Sequence, residues 1–377
     1  MIKNQRCLFN IPDNVHYFNC AYMSPLLNEA AQAGCEGVKS KAHPWEITAP
    51  DFFADSNKAR GLFANLINAD AQDIALIPSV SYGTAIAALN LPVKGGDKIL
   101  VLAEEFPSNL YAWREKAKIQ GASIKTVERP TDSDWTSAIL EALDERVKVV
   151  VLPQTHWVDG IEINLELIAG ILKRLACALV LDLTQSLGVM NVDVQKIQAD
   201  FIICASYKWL LGPYSFGFLY ANPKHHQGLP LEQGWVNRPG AENFSRLIDY
   251  TDTLNPDASR FDVGERSNIQ LLPIAIAALE QVHKWQPTKI AASLKLYTND
   301  LSERLADIGF ISSDQRYRSP HFFSVTYPKG LPEYLLKQLA SKQIFISQRG
   351  DHLRIAPYLY NNQQDADALI VALRKAI

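Results

Sequence analysis

The chain has 377 residues but no cysteine beyond Cys204, and its five cysteines include no CxxC pair. Neither a disulfide framework nor a cysteine-built zinc site is signalled. Cys177 and Cys204 lie in apolar runs and read as small core residues. An excess of charge is also missing: 37 Lys and Arg face 40 Asp and Glu, for a net charge of −3. No basic surface advertises a nucleic acid or an anionic membrane. No apolar run reaches the ~18–20 residues of a membrane span. The opening MIKNQRCLFNIPDNVHYF lacks the apolar core of a signal peptide, so a cytoplasmic protein is expected. Internal repeats and low-complexity segments are absent as well. No GxGxxG follows a strand, which makes a nicotinamide-dinucleotide enzyme a poor fit.

What is present is a globular composition, 47% hydrophobic and 20% charged, which disfavours disorder and coiled coil. At ~100–200 residues per domain, the length suits two domains, or one large α/β domain with an appendage. Short β-rich apolar runs recur at 98–103, 148–153, 177–183, 201–205 and 216–221. They lack polar alternation, as strands covered on both faces do. Amphipathic runs at 108–120, 133–143 and 165–176 separate them, which predicts a mostly parallel sheet flanked by helices. After about residue 240 a polar, loop-rich stretch leads into a long helical region over 271–305. Short strands near 321–326, 343–346 and 352–355 and a final helix from about 364 complete the chain. The expected division is an N-terminal arm 1–18, a large α/β domain 19–265 and a small α+β domain 266–377.

Ligands of open α/β sheets bind beyond the carboxyl ends of the strands, so the residues there carry the functional reading. Asp182 sits in CALVLDLTQSLG, where an ionised carboxylate is costly unless donors or a cation meet it. It either caps the following turn or pairs with a buried cation such as a protonated heterocycle nitrogen. Lys208 is the only charged residue between Asp200 and Lys224. It either snorkels from a strand end or is kept there as a desolvated, nucleophilic amine. The two residues together, at the ends of consecutive strands, change the odds.

Here the sequence resembles the class V aminotransferase-like family of pyridoxal-phosphate (PLP) enzymes, which includes cysteine desulfurases, kynureninases and small-amino-acid aminotransferases. The resemblance rests on Asp182 and Gln185 as Asp-x-x-Gln, on Ser206 and Lys208 as Ser-x-Lys, and on Gly212-Pro213. It implies the PLP-dependent transferase fold (fold type I, aspartate-aminotransferase-like), with PLP as cofactor held by Lys208 as a Schiff base. Asp182 would keep the pyridine nitrogen protonated, and Gln185 would hydrogen-bond the phenolic oxygen. A strand runs into a helix at Ser79, Ser81, Tyr82, Gly83 and Thr84, where the family places the phosphate and where helix amides favour an anion. An ordinary N-cap would look similar. The segment EEFPSNLYAW resembles the kynureninase Phe-Pro-Ser-Asp loop, with Phe106 as the ring-stacking aromatic, or plain core, and Asn109 replacing the aspartate. Tyr207 and Trp235 resemble kynureninase phosphate contacts. His156 ends another strand and faces either the substrate or the interior. Arg354, in an Arg-x-x-Pro segment, would grip the substrate α-carboxylate with its planar fork, the alternative being a surface salt bridge. The stretch from Asn19 to Ala21 resembles the loop that closes over the substrate.

Two departures matter. Cysteine desulfurases need a thiolate downstream of the PLP lysine, and here none follows Cys204. Kynureninases have histidine in place of Gln185 and Gly-Thr in place of Gly264-Glu265; a glutamate there would repel the phosphate of a neighbouring subunit. The FDVGERSN segment is still expected at a homodimer interface. The expected function is therefore a PLP-dependent aminotransferase acting on a small-molecule α-amino acid, with no metal. Alternatives are a PLP-dependent lyase working without a protein thiol, and a non-catalytic binding protein on the same scaffold.

Overall fold

The computed structural model describes residues 1–377. Seven strands form its main sheet: β1 (Ile74–Ile77), β2 (Lys98–Leu102), β3 (Ser123–Val127), β4 (Val147–Pro153), β5 (Ala178–Asp182), β6 (Phe201–Ala205) and β7 (Gly217–Ala221). Their spatial order is β1-β7-β6-β5-β4-β2-β3. Only β7 runs against its neighbours β1 and β6. The unbroken apolarity of these strands has a direct cause. Leu100, Leu152, Leu181 and Ile202 point into a core of 58 residues on one face. Val101, Val151, Val180 and Ile203 point into a second core of 22 residues on the other. Successive side chains of a strand face opposite ways, and here both ways are dry. The edge strand β3 is the exception, with Ser123, Lys125 and Thr126 in a five-residue stretch. Its polar sequence hides it from a search for apolar runs.

The expected long helix over 271–305 is two: α1 (Leu271–Trp285) and α2 (Pro287–Ala306). They break at Gln286, whose φ is +66°, because the residue before a proline is pushed out of the helical region. Leu272, Ile276, Leu279 and Val282 of α1 pack in the large core, whereas the core of the smaller domain starts at Leu301, late in α2. α1, although it lies beyond residue 265, thus packs with the large sheet's core.

The smaller domain carries an antiparallel sheet of β8 (Ile311–Ser312), β9 (Phe323–Thr326), β10 (Ser347–Arg349) and β11 (His352–Ile355), in the order β10-β11-β9-β8. The N-terminal arm is docked on this domain. His16 and Tyr17 pair in parallel with Ile344 and Phe345, and Asp365 receives His16 at 2.7 Å and Arg6 at 3.5 Å. Phe18 joins the small core and Cys20 the large one, so the chain crosses between the domains at Asn19. No helix is long and apolar enough to cross a membrane.

Candidate active site

Lys208 lies three residues beyond β6, in a turn closed by Leu211 N–H donating to the Lys208 carbonyl at 3.1 Å. Its side chain is 6% exposed. The amine sits 5.4 Å from the centre of the Phe106 ring and 5.6 Å from that of Tyr207, and it donates to no protein atom. Burial, with the positive field of Arg354, pulls its pKa down to about 7. Asp182, at the end of β5, is buried too; one carboxylate oxygen accepts the Thr184 N–H at 2.9 Å. Burial raises its pKa above the usual carboxylate range, while Thr184 and Lys208 pull the other way.

Arg354 on β11 faces the same pocket and is 1% exposed. Its guanidinium donates to the Trp157 carbonyl at 2.8 Å and to Ser347 Oγ at 3.2 Å, and it meets no carboxylate. Burial, reinforced by Arg349, lowers its pKa to about 9. The surface-salt-bridge alternative is thereby removed. Phe106 meets Trp157 edge to face at 5.5 Å between ring centres, so the aromatic reaches the amine and is not plain core. Asn109, fully buried, has neither amide atom partnered.

Ser79 is the N-cap of the helix that follows β1 and spans Val80–Asn90; its hydroxyl accepts the Tyr82 N–H at 3.2 Å and touches Ser81 Oγ at 2.9 Å. The Val80 and Ser81 amides have no partner in the helix ladder, as first-turn amides do not.

Family comparison settles the class. A model of the aminotransferase class-V family matches residues 41–369. The chain belongs to that family. Its members are PLP-dependent enzymes, and PLP is the cofactor this class uses. A probable cysteine desulfurase of Pyrococcus abyssi is 31% identical over 167 residues, covering 44% of this chain and only 42% of that protein. An uncharacterized aminotransferase of Bacillus subtilis is 25% identical over 309 residues, 81% of this chain and 80% of the relative. Among solved structures, a mutant of the lyase C-DES with glycine covalently linked to PLP superposes with a TM-score of 0.90 at 18% identity, covering 99% of this chain and 100% of that one. The fold is thus the fold type I α/β architecture of the PLP-dependent transferases.

The class-V residues present fit a phosphorylated pyridine aldehyde. The Lys208 amine, with no protein acceptor, lies beside the Phe106 ring and close enough to the buried Asp182 carboxylate for their charges to couple, and Asn109, whose N–H bonds the Phe106 carbonyl, has both buried side-chain amide atoms unpartnered. Thr84 Oγ1 is buried without a partner as well.

Not every expected residue is brought there. Gly83 N–H donates to the Ser79 carbonyl at 3.3 Å, and a Cβ on Gly83 would stand 2.9 Å from Ile77 and 3.0 Å from Ile203. Gly83 lets the helix lie close on the sheet, and the free amides lie earlier. The single Ser206 proton is committed to the Pro213 and Phe216 carbonyls, 2.7 and 2.9 Å away, so that hydroxyl buttresses a turn. Trp235 packs instead with Phe52, Phe53 and Phe244. His156 does not face the pocket: it is fully buried and stacked on Trp135 at 5.1 Å, with Nδ1 3.5 Å from Asp159. Burial disfavours its cation, but Asp159 and Glu105 outweigh that and raise its pKa.

Gln185 is tied on both sides, donating to the Ala21 carbonyl and accepting from the Trp209 indole, each at 2.9 Å. One of its amide protons stays free for a ligand. The Ala21 carbonyl is used by that bond, and Asn19 bridges to Ala356 while its Oδ1 is buried unpartnered. The Asn19–Ala21 stretch is therefore pinned by both domains. Sequence reasoning missed Glu105, whose Oε1 accepts the Phe106 N–H at 2.7 Å and whose Oε2 is orphaned. Burial pushes its pKa up to about 7. An acidic residue directly before the stacking aromatic was the one available signal.

Proposed function

We propose that this chain is a PLP-dependent aminotransferase acting on an α-amino acid, with Lys208 as the residue that holds the cofactor. The observation that carries the reading is the buried Lys208 amine, without a partner and brought to near-neutral basicity, over the Phe106 ring. When bound, PLP supplies an electron sink for the substrate's α-carbon. Asp182 would hold the proton of the ring nitrogen, and the free Gln185 N–H would meet the phenolic oxygen. The Val80 and Ser81 amides with the Ser79 and Ser81 hydroxyls would take the phosphate. Arg354 orients the substrate by a two-pronged grip on its α-carboxylate. Lys208, neutral in much of its population near pH 7, takes the α-proton as a general base.

A lyase is the second reading, favoured by the relative named as a probable cysteine desulfurase. A protein thiol does not support it: Cys20 and Cys204 are buried, and burial pushes both thiols up. The test is a spectrum followed by product analysis. Added PLP should produce a visible absorption band, reducible by borohydride into a stable link to the protein and lost in Lys208→Ala. Incubation with an amino-acid panel should then accumulate pyridoxamine phosphate and the matching oxoacid. Ammonia with a cleaved side chain would replace the aminotransferase reading with the lyase one, and no band at all would overturn both.

A further inference from the structure

The hairpin β10–β11 carries a second arginine that the α-carboxylate role of Arg354 leaves unused. Its register pairs Ser347 with Arg354 and Arg349 with His352. Side chains alternate along a strand, so Ser347 and Arg349 share a face with Arg354 and His352. Arg349 and Arg354 are diagonal neighbours, about 7–8 Å apart at the backbone. One residue organises both guanidiniums. The Trp157 carbonyl accepts from Arg354 at 2.8 Å, and the Trp157 ring carries the Arg349 guanidinium 5.4 Å from its centre. The indole is itself anchored by donating to the Glu104 carbonyl at 2.6 Å. Stacking of this kind holds a guanidinium's face while leaving its edge free.

Arg349 donates only to the carbonyl of adjacent Gln348, at 2.7 Å. Like Arg354, it forms no ion pair with any carboxylate, not even Asp351 in the hairpin turn. The group beside it is Tyr22, and Arg349 is close enough to Arg354 and Lys208 to weaken their cationic forms. Three cations thus converge on a pocket whose buried carboxylates, Asp182 and Glu105, are both biased towards their neutral forms. Partly desolvated cations on a fixed aromatic shelf, without counter-ions, describe a site completed by an anion.

We propose that Arg349 recognises a second acidic group on the substrate, making the enzyme selective for amino acids whose side chain ends in a carboxylate or sulfinate. This deepens the reading above and rests on Arg354 taking the α-carboxylate. Two guanidiniums on one face of a hairpin, both held by Trp157, suit a substrate with two anionic ends.

The experiment is calorimetric titration of the PLP-treated protein with succinate and with propionate, which differ by one carboxylate. Succinate should bind at least about tenfold more tightly, the scale of one charge-assisted hydrogen-bonded pair. Arg349→Gln should erase that preference, whereas Arg354→Gln should weaken both ligands. In turnover, the aspartate-to-alanine ratio of kcat/KM should fall by about tenfold or more in Arg349→Gln, with Arg349→Lys recovering part of it. Equal affinity for succinate and propionate, or a preference that survives in Arg349→Gln, overturns the proposal. The visible band reports on Lys208 separately: its absence would fell the cofactor reading while the diacid titration still decides the arginine pair.

Discussion

Two buried charged clusters in this molecule invite comparison. In the first, Asp262 is fully buried between Arg60 and Arg266, its second oxygen accepts the Leu76 N–H at 2.8 Å, and both arginines are about 5% exposed. Its carboxylate serves both guanidiniums, and the cluster ties the FDVGERSN loop to β1. In the second, Lys208, Arg354 and Arg349 crowd together with no ion pair among them. Burying a charge is costly unless partners replace the lost water. The first cluster meets most of that cost within the chain, through a carboxylate shared by two guanidiniums, although Arg266 Nε stays buried without a partner. The unpaired one leaves it unmet, which is how a site built for an anionic ligand differs from a structural ion pair.

Substitutions sharpen the contrast. Lys208→Ala should produce the largest change, loss of the PLP-dependent visible band and at least about a thousandfold loss of turnover, since a covalent anchor and general base vanish together. A band or borohydride-reducible link that persisted would refute it. Asp262→Ala should act on stability, by about 3–5 kcal/mol in urea unfolding, because it strands two buried guanidiniums. Removal of Arg354 should have almost the opposite signature. Arg354→Gln should raise KM for α-amino acids by about ten- to a hundredfold with a smaller loss of stability than Asp262→Ala, because it strands no charge and only the neutral Trp157 carbonyl and Ser347 Oγ lose a donor. An unchanged KM would remove it from the substrate site.

The smallest effect is one of pH. The Lys208 pKa of about 7 means that the nucleophilic amine is mostly protonated below neutrality. The rate at which the apoprotein gains its visible band should rise about tenfold per pH unit up to about pH 7 and then level off. A rise continuing to pH 10 would mean that the amine is solvated like an ordinary lysine.

Legibility in the sequence followed how local each cause is. The strands were readable wherever both faces are buried, and β3 was lost because an edge strand tolerates Ser123, Lys125 and Thr126. Asp182 and Lys208 stood out because each is a lone charge in an apolar run. The turns that hold Ser206 and Gly83 were legible from their motifs, but the packing each residue serves there was not. The reach of one hydroxyl to Pro213 and Phe216, and the closeness of Ile203 to a glycine, depend on segments brought in from elsewhere. His156 was ambiguous for the same reason, since only Trp135 and Asp159 decide which way the ring faces.

The alternation of apolar strands and helices, the two-faced burial of the sheet and the two lone charges, Asp182 and Lys208, were legible in the sequence alone. Each follows from the polarity of a few consecutive residues. The tertiary structure alone decided which charges would lack counter-ions. Arg349 gains its meaning from a hairpin register, and from a tryptophan nearly two hundred positions away that lends its carbonyl to one arginine and its ring to the other. A charge's environment is a sum over everything that surrounds it in space, and neighbours along the chain supply only part of that sum.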